Sequence, residues 1–273
     1  MQDILTCAMG LDIHRDVIVA CLAKGELGTD PEIEIRSFST LIPEMRKLRD
    51  WVLEAECRYV AMESTGIYWQ PIYEMLEPCF DGQINILVVN ARHMKNVPGR
   101  KTDMRDAQWI ATLLRAGLLK GSFIPDKTFR ELRHLTRYRK SIVRDITAQK
   151  NRIDKFLQSS GFRFTAFLSD AFGASGRNII RHLMEYGNIS REALDRCLKT
   201  QTRKRIDEIL IALNGSLSEH QRGFLRMIFG HLEALEQHRH TVEDAITKEI
   251  TKHEEALSLL CSIPVSYTHL RAH

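Results

Sequence analysis

Residues 128–157 run for thirty positions without a glycine or a proline, and an uninterrupted stretch of that length folds as a long helix. Its apolar residues Leu132, Leu135, Ile142, Ile146, Ile153 and Phe156 return at intervals built from threes and fours, with Arg139 and Gln149 interrupting the series. A second stretch, from about Glu219 to Leu260, keeps the same rhythm through Leu225, Ile228, Leu232, Leu235, Val242, Ile246, Ala256 and Leu260. Two such helices need a partner for their apolar faces. They can pair with each other or with those of a second copy, with Arg139, Arg239 and His253 as polar residues that set the register.

The first ninety residues follow a different rule. Thr6–Ile13 and Val17–Ala23 are short apolar runs separated by His14, Arg15 and Asp16, the pattern of a hairpin. Ile33–Phe38 alternates with charged residues as an edge strand. Thr40 is placed to cap a helix that carries Met45, Leu48, Trp51 and Val52 on one face. Tyr59–Met62 reads as a strand, Tyr68–Leu76 as a short helix and Ile84–Val89 as a buried strand. Three strands, then helix, strand, helix, strand make a mixed α/β sheet. Beyond Pro98 and Gly99, Asp103–Leu114 has helical spacing through Ala107, Ile110, Ala111 and Leu114.

Charge divides the chain at the same place. Residues 1–91 hold 7 basic and 15 acidic side chains, and residues 92–155 hold 17 basic and 6 acidic ones. The formal net charge of +4 is therefore the near-cancellation of an acidic segment by a basic one. A basic stretch of that density suits a polyanion, because Lys and Arg at phosphates release condensed counterions; a solvated helix face is the plainer reading. At 44% hydrophobic and 27% charged residues the chain has material for a core, which excludes wholesale disorder. Its apolar runs are strand-length, so no membrane span is expected, and the N-terminus has no secretory pattern, which points to the cytosol. Cys7, Cys21, Cys57, Cys79, Cys197 and Cys261 are scattered without a C-x-x-C pair, a poor metal or disulfide framework.

The candidate chemistry lies in carboxylates. Asp12 ends the first predicted strand in GLDIHRD and Glu63 ends the fourth in AMESTG. Asp103 and Asp106 stand three apart in KTDMRDA at the start of a helix, so both project from one face. If the first and fourth strands are neighbours, carboxylates at their ends approach each other, and a helix across the sheet adds two more. Four converging carboxylates repel unless divalent cations neutralise them, and hard oxygen donors suit Mg²⁺ or Mn²⁺. Two such ions can assist phosphodiester chemistry. Each residue also has a plain reading: a strand-end Asp caps a turn, a first-turn Asp complements the helix dipole, and Asp103 or Asp106 can pair with Arg100 or Arg105. Arg92, Lys95, Arg100, Lys101 and Arg105 surround the acidic pair as candidate phosphate contacts, joined by Arg133, Arg137, Arg139, Lys140 and Arg144 on the long helix. Tyr68 and Trp69 read first as core aromatics, His14 and His93 as structural histidines.

GLDIHRD, AMESTGIYW and VVNARHMKNVPGRKTDMRDAQWIATLLRAGLL, in that order, resemble the DEDD insertion-sequence transposases with a RuvC-like domain, related to the Piv-type DNA invertases. The resemblance covers residues from about 9 to 264. It implies an RNase H-like mixed sheet with flanking helices over residues 1–125, in which Asp12, Glu63, Asp103 and Asp106 bind Mg²⁺ or Mn²⁺. It implies a helical, coiled-coil region over residues 126–260 for nucleic-acid binding and assembly into a dimer or tetramer. It further implies DNA strand cleavage and exchange in the bacterial or archaeal cytoplasm, at the nucleoid, through DNA joined to a serine of a C-terminal domain. The family's elements can encode a structured RNA that bridges donor and target DNA, which makes such a guide RNA an expected partner.

The family pattern continues past LLCSIP with a glycine and a serine-bearing helical domain, whereas Pro264 is followed here by VSYTHLRAH. Residues 261–273 therefore read as the start of that domain, truncated and joined to an atypical tail, and the chain alone is expected not to exchange strands. No motif promotes Ser64, Ser141 or Ser262 in its place. A junction-resolving, RNase H-type nuclease would use the same carboxylates, and a non-catalytic coiled-coil nucleic-acid binder needs none. An actin-like phosphotransferase would need phosphate loops that residues 120–260 lack.

Overall fold

The computed structural model describes residues 3–64, 66–90 and 106–262, and the chain divides into two compact units, Met1–Ile124 and Pro125–His273.

The first unit is built on a five-stranded sheet in the order β3-β2-β1-β4-β5. Strands β1 (Cys7–Ile13), β2 (Val17–Lys24) and β3 (Glu32–Ser39) form an antiparallel meander. The amide of His14 donates to the Val17 carbonyl at 2.9 Å and closes its first turn. Strands β4 (Tyr59–Glu63) and β5 (Asn85–Val89) add in parallel, with Met9 opposite Val60, Gly10 opposite Ala61 and Leu11 opposite Met62. This is the RNase H-like arrangement, three antiparallel strands extended by two parallel ones.

Strand β1 shows no polar–apolar alternation because helices cover both of its faces. Met9, Leu11 and Ile13 pack with Met45, Leu48, Trp51 and Val52 of α1 (Ile42–Glu54) and with Ile72 and Leu76 of α2 (Trp69–Leu76). On the other face, Ala8 and Ala61 pack with Ile110, Leu113 and Leu114 of α3 (Asp106–Arg115). The cap expected at the start of α1 is not made by Thr40. Leu41 holds the N-cap position without a side-chain bond, and the Thr40 hydroxyl donates instead to the Arg15 carbonyl at 2.9 Å. That bond ties the end of β3 to the β1–β2 turn, and Pro43 in the first turn of α1 already removes one amide that a cap would have served.

The second unit is helical. Helix α4 (Lys127–Ser159) begins at Asp126, whose carboxylate accepts from the Phe129 amide at 3.0 Å. Helices α5 (Ala174–Tyr186), α6 (Arg191–Cys197), α7 (Thr200–Arg203) and α8 (Ile206–Ala212) follow. Helix α9 (Glu219–Ile250) opens on a reciprocal capping box between Ser218 and Gln221. The long helices run antiparallel. Phe156 packs at a tilt against Phe224 with centroids 5.1 Å apart, Arg139 meets Glu243 at 2.9 Å, and the Phe129 ring centroid lies 4.8 Å from that of His253. Their apolar faces share one core with Ile179, Ile180 and Leu183 of α5.

Gln149, which interrupts the apolar repeat, is buried at 1% exposure without being orphaned. Its Nε2 donates to the Ile228 carbonyl at 2.6 Å, and its Oε1 accepts from Arg152. The second long stretch does not continue as one helix to Leu260. It breaks at Thr251–His253 before α10 (Glu254–Ser262). The Thr247 and Thr251 hydroxyls both donate back to carbonyls four residues earlier, at 2.9 and 2.6 Å, a bond that bends helices. Among the described residues no helix is long and apolar enough to cross a membrane.

Candidate functional site

Side chains alternate along a strand, so Asp12 shares the α3-facing side of β1 with Ala8 and Gly10. On β4 the same rule places Glu63 on the face of Ala61. The pairing of Gly10 with Ala61 and Leu11 with Met62, continued by one residue, sets Asp12 beside Glu63 at the C-terminal ends of two neighbouring parallel strands.

Helix α3 brings the third carboxylate. Gly10 is the seat on which it rests: a Cβ there would collide with the Ala107 carbonyl oxygen and the Ala111 amide nitrogen. Ala107 and Ala111 are fully buried, one turn apart. The helix runs opposite to β1. Its C-terminal Arg115 accepts, at the backbone carbonyl, from the amides of Ile4 and Leu5 just before the strand, at 2.9 and 3.2 Å. Its N-terminal Asp106 therefore lies toward the Asp12 end.

Asp12 feels the other two carboxylates. The Asp12 side chain is 16% exposed, and its carboxyl is raised above the ordinary range chiefly by burial and further by the charges of Asp106 and Glu63. His14 opposes the rise, its Nε2 lying 3.2 Å from Asp12 Oδ2 while its ring stays largely in solvent. Asp106 is exposed and Glu63 half-buried. Among the described residues no three His, Cys, Asp or Glu side chains form a cluster that could hold a metal ion. Asp103, the fourth predicted ligand, lies outside the described residues, as do Arg92, Lys95, Arg100, Lys101 and Arg105. In chemistry the donor types suit a hard cation: carboxylate oxygens, two of whose charges raise the Asp12 carboxyl, with one exposed imidazole to offset the rise.

On α4, Arg133, Arg137, Lys140 and Arg144 are exposed. Spaced by four, three and four at 100° per residue, they form one stripe on the face opposite Ile142, Ile146 and Ile153. Arg139 leaves this set, since it is half-buried and bonded to Glu243 of α9 through Nε and Nη2. Trp69 packs edge-on against Tyr73 at 5.8 Å beside the core, as expected, while Tyr68 is exposed.

Sequence reasoning missed Arg115. It is 1% exposed and donates to the carbonyls of Leu5 at 3.0 Å, Glu26 at 2.7 Å, Gly25 at 3.3 Å and Thr29 at 3.4 Å, with Asp3 3.3 Å away. The signal was an arginine following two apolar residues at the end of an amphipathic helix. Counting it in the basic arm overstated the charge that arm can offer to phosphates.

A comparison with curated proteins gives no match. The family model for IS110-type DEDD transposases, described as Transposase, matches residues 9–161. That span reaches from the strand of Asp12 to the end of α4 and exceeds half of the 273 residues, so the chain belongs to the IS110-type DEDD transposase family.

Proposed function

We propose that this chain processes DNA strands in transposition with divalent cations held by Asp12, Glu63, Asp103 and Asp106. The observation that carries the reading is the raised carboxyl of Asp12, pushed up by burial and by Asp106 and Glu63 together. A strand end that gathers negative charge in this way is costly to a fold unless a cation offsets it. Mg²⁺ or Mn²⁺ bound there would neutralise phosphodiester oxygens and activate the attacking group. The protein's own residues supply placement. His14 holds one Asp12 oxygen, Gly10 seats α3 against β1, and the parallel pairing of β1 with β4 aligns Asp12 with Glu63.

Arg133, Arg137, Lys140 and Arg144 would hold the phosphate backbone. Backbone contacts of this kind carry no base sequence, so the same stripe would accept DNA and a structured guide RNA. Calorimetric titration with Mn²⁺ tests the site. Wild-type chain should bind, and Asp12→Asn combined with Asp106→Asn should abolish binding while circular dichroism stays native. Unchanged binding would make the carboxylates structural.

A further inference from the structure

We propose that Cys7 and Cys57 form an oxidisable dithiol that closes to a disulfide by exchange with small-molecule disulfides. Cys7 opens β1 and Cys57 immediately precedes the segment that enters β4. Because β1 and β4 are parallel, with Met9 opposite Val60, both cysteines lie at the same end of neighbouring strands. They also share a face: Cys57 is fully buried in the cluster of Met9, Leu11 and Val60, and Cys7 is half-buried against it.

The two thiols are close enough to act on each other's charge, and the Cys57 thiol donates to the Tyr59 carbonyl at 3.3 Å. The groups acting on Cys7 are this neighbouring thiol and the Lys24 ammonium, which faces it across the β1–β2 pairing. Against the opposing effect of burial they hold Cys7 below the ordinary thiol range. Cys57 is pushed the other way, chiefly by the Cys7 thiol and by burial. Cys7, half-buried, is therefore the reachable sulfur and Cys57, fully buried, the protected one beside it, the division between attacking and resolving sulfurs. No other described cysteine has this arrangement: burial raises Cys21 to about 11 and also raises Cys79 and Cys197.

In the exchange, the Cys7 thiolate attacks one sulfur of the small disulfide. The S–S bond breaks, and one small thiolate leaves. Cys57 then gives its proton to that thiolate and attacks the Cys7 sulfur of the mixed disulfide, releasing the second thiolate. The two cysteines are oxidised, and the small disulfide is reduced to two thiols. The bond joins the starts of β1 and β4, at the end of the strands opposite Asp12 and Glu63, so the proposal stands independently of the carboxylate site.

The test treats the full 273-residue chain with glutathione disulfide at neutral pH, then alkylates, digests and maps the peptides by mass spectrometry. A peptide cross-linked through Cys7 and Cys57 is expected, with both residues protected from alkylation. Cys57→Ala should stop at a glutathione adduct on Cys7, and Cys7→Ser should take up no glutathione at Cys57. A lasting glutathione adduct on Cys7 in the wild type, a bridge to Cys21, Cys79 or Cys197, or an unreactive Cys7 would each overturn the proposal. The wild-type map decides the matter even if a buried Cys57 variant folds poorly.

Discussion

The α-carbon of Gly10 lies so close to the backbone of Ala107 that no side chain fits between them. Asp12 stands two residues beyond Gly10 and Asp106 one residue before Ala107, so this contact sets how closely the two carboxylates approach. The requirement is steric, because Gly10 keeps a backbone conformation open to any residue. Gly10→Ala must lift α3 from the sheet, which costs about 1–3 kcal/mol as overpacking does elsewhere. Denaturant unfolding should show that loss and calorimetry a weakened Mn²⁺ response. A variant as stable as the wild type would mean that α3 adjusts freely and that the glycine does not set the site.

Asp12 makes the stability of the sheet depend on pH in a definite direction. Its carboxyl is raised, so the folded chain holds this proton more tightly than the unfolded one. The stability that the proton contributes is complete below the ordinary Asp value of about 3.9. It is lost as pH climbs through the raised folded value. Asp12→Asn removes that loss, so the variant should melt above the wild type at neutral pH and level with it in acid. Mn²⁺ should raise the wild-type melting temperature and leave that of the variant unchanged. A variant that melts lower at neutral pH would show Asp12 to be a structural ion-pair partner of His14.

Arg115 fastens the far end of α3. Its guanidinium serves the carbonyls of Leu5, Gly25, Glu26 and Thr29 within an almost fully buried site, and Asp3 lies beside it. Arg115→Ala leaves those acceptors and the Asp3 carboxylate without their donor, and should cost about 3–5 kcal/mol. Arg115→Lys should recover only a minor part, since one ammonium cannot span four carbonyls set around a planar fork. Urea denaturation of the three chains would measure this. Full recovery with lysine would reduce the role of Arg115 to charge alone.

The succession of strands and helices along the chain and both carboxylate-bearing strand ends were legible because they depend on local signals, whereas the lateral order that puts β1 beside β4 was only a condition until the structure supplied it. Short apolar runs between charged turns give strands, and a run that closes on Asp12 or Glu63 marks a strand end facing solvent. The hidden part depends on contacts distant in sequence. Arg115 reads as one more basic residue until Leu5 and Glu26, about ninety residues or more away in the chain, are folded against it. Gln149 reads as a flaw in an apolar stripe until the Ile228 carbonyl is placed opposite. Gly10 carried a faint signal, because Ala107 and Ala111 repeat one turn apart as a helix resting on a strand requires. Thr40 shows the reverse failure: a correct capping residue type in a correct place bonds to the Arg15 carbonyl instead.

Arg137 and Arg139 stand two apart on α4 and should behave oppositely. Arg137 is exposed within the basic stripe, whereas Arg139 is bonded to Glu243 with both side chains about 30% exposed. Arg137→Ala should leave stability within about 0.5 kcal/mol. It should lower duplex affinity and reduce the slope of log affinity against log salt by about 1. Arg139→Ala should weaken the helical unit by about 0.5–1 kcal/mol, the range for a partly solvated pair, with the salt slope unchanged. Fluorescence anisotropy across a salt series, paired with denaturant unfolding, separates the two. Equal salt slopes for both variants would place Arg139 in the nucleic-acid contact and dissolve the distinction between the stripe and the helix seam.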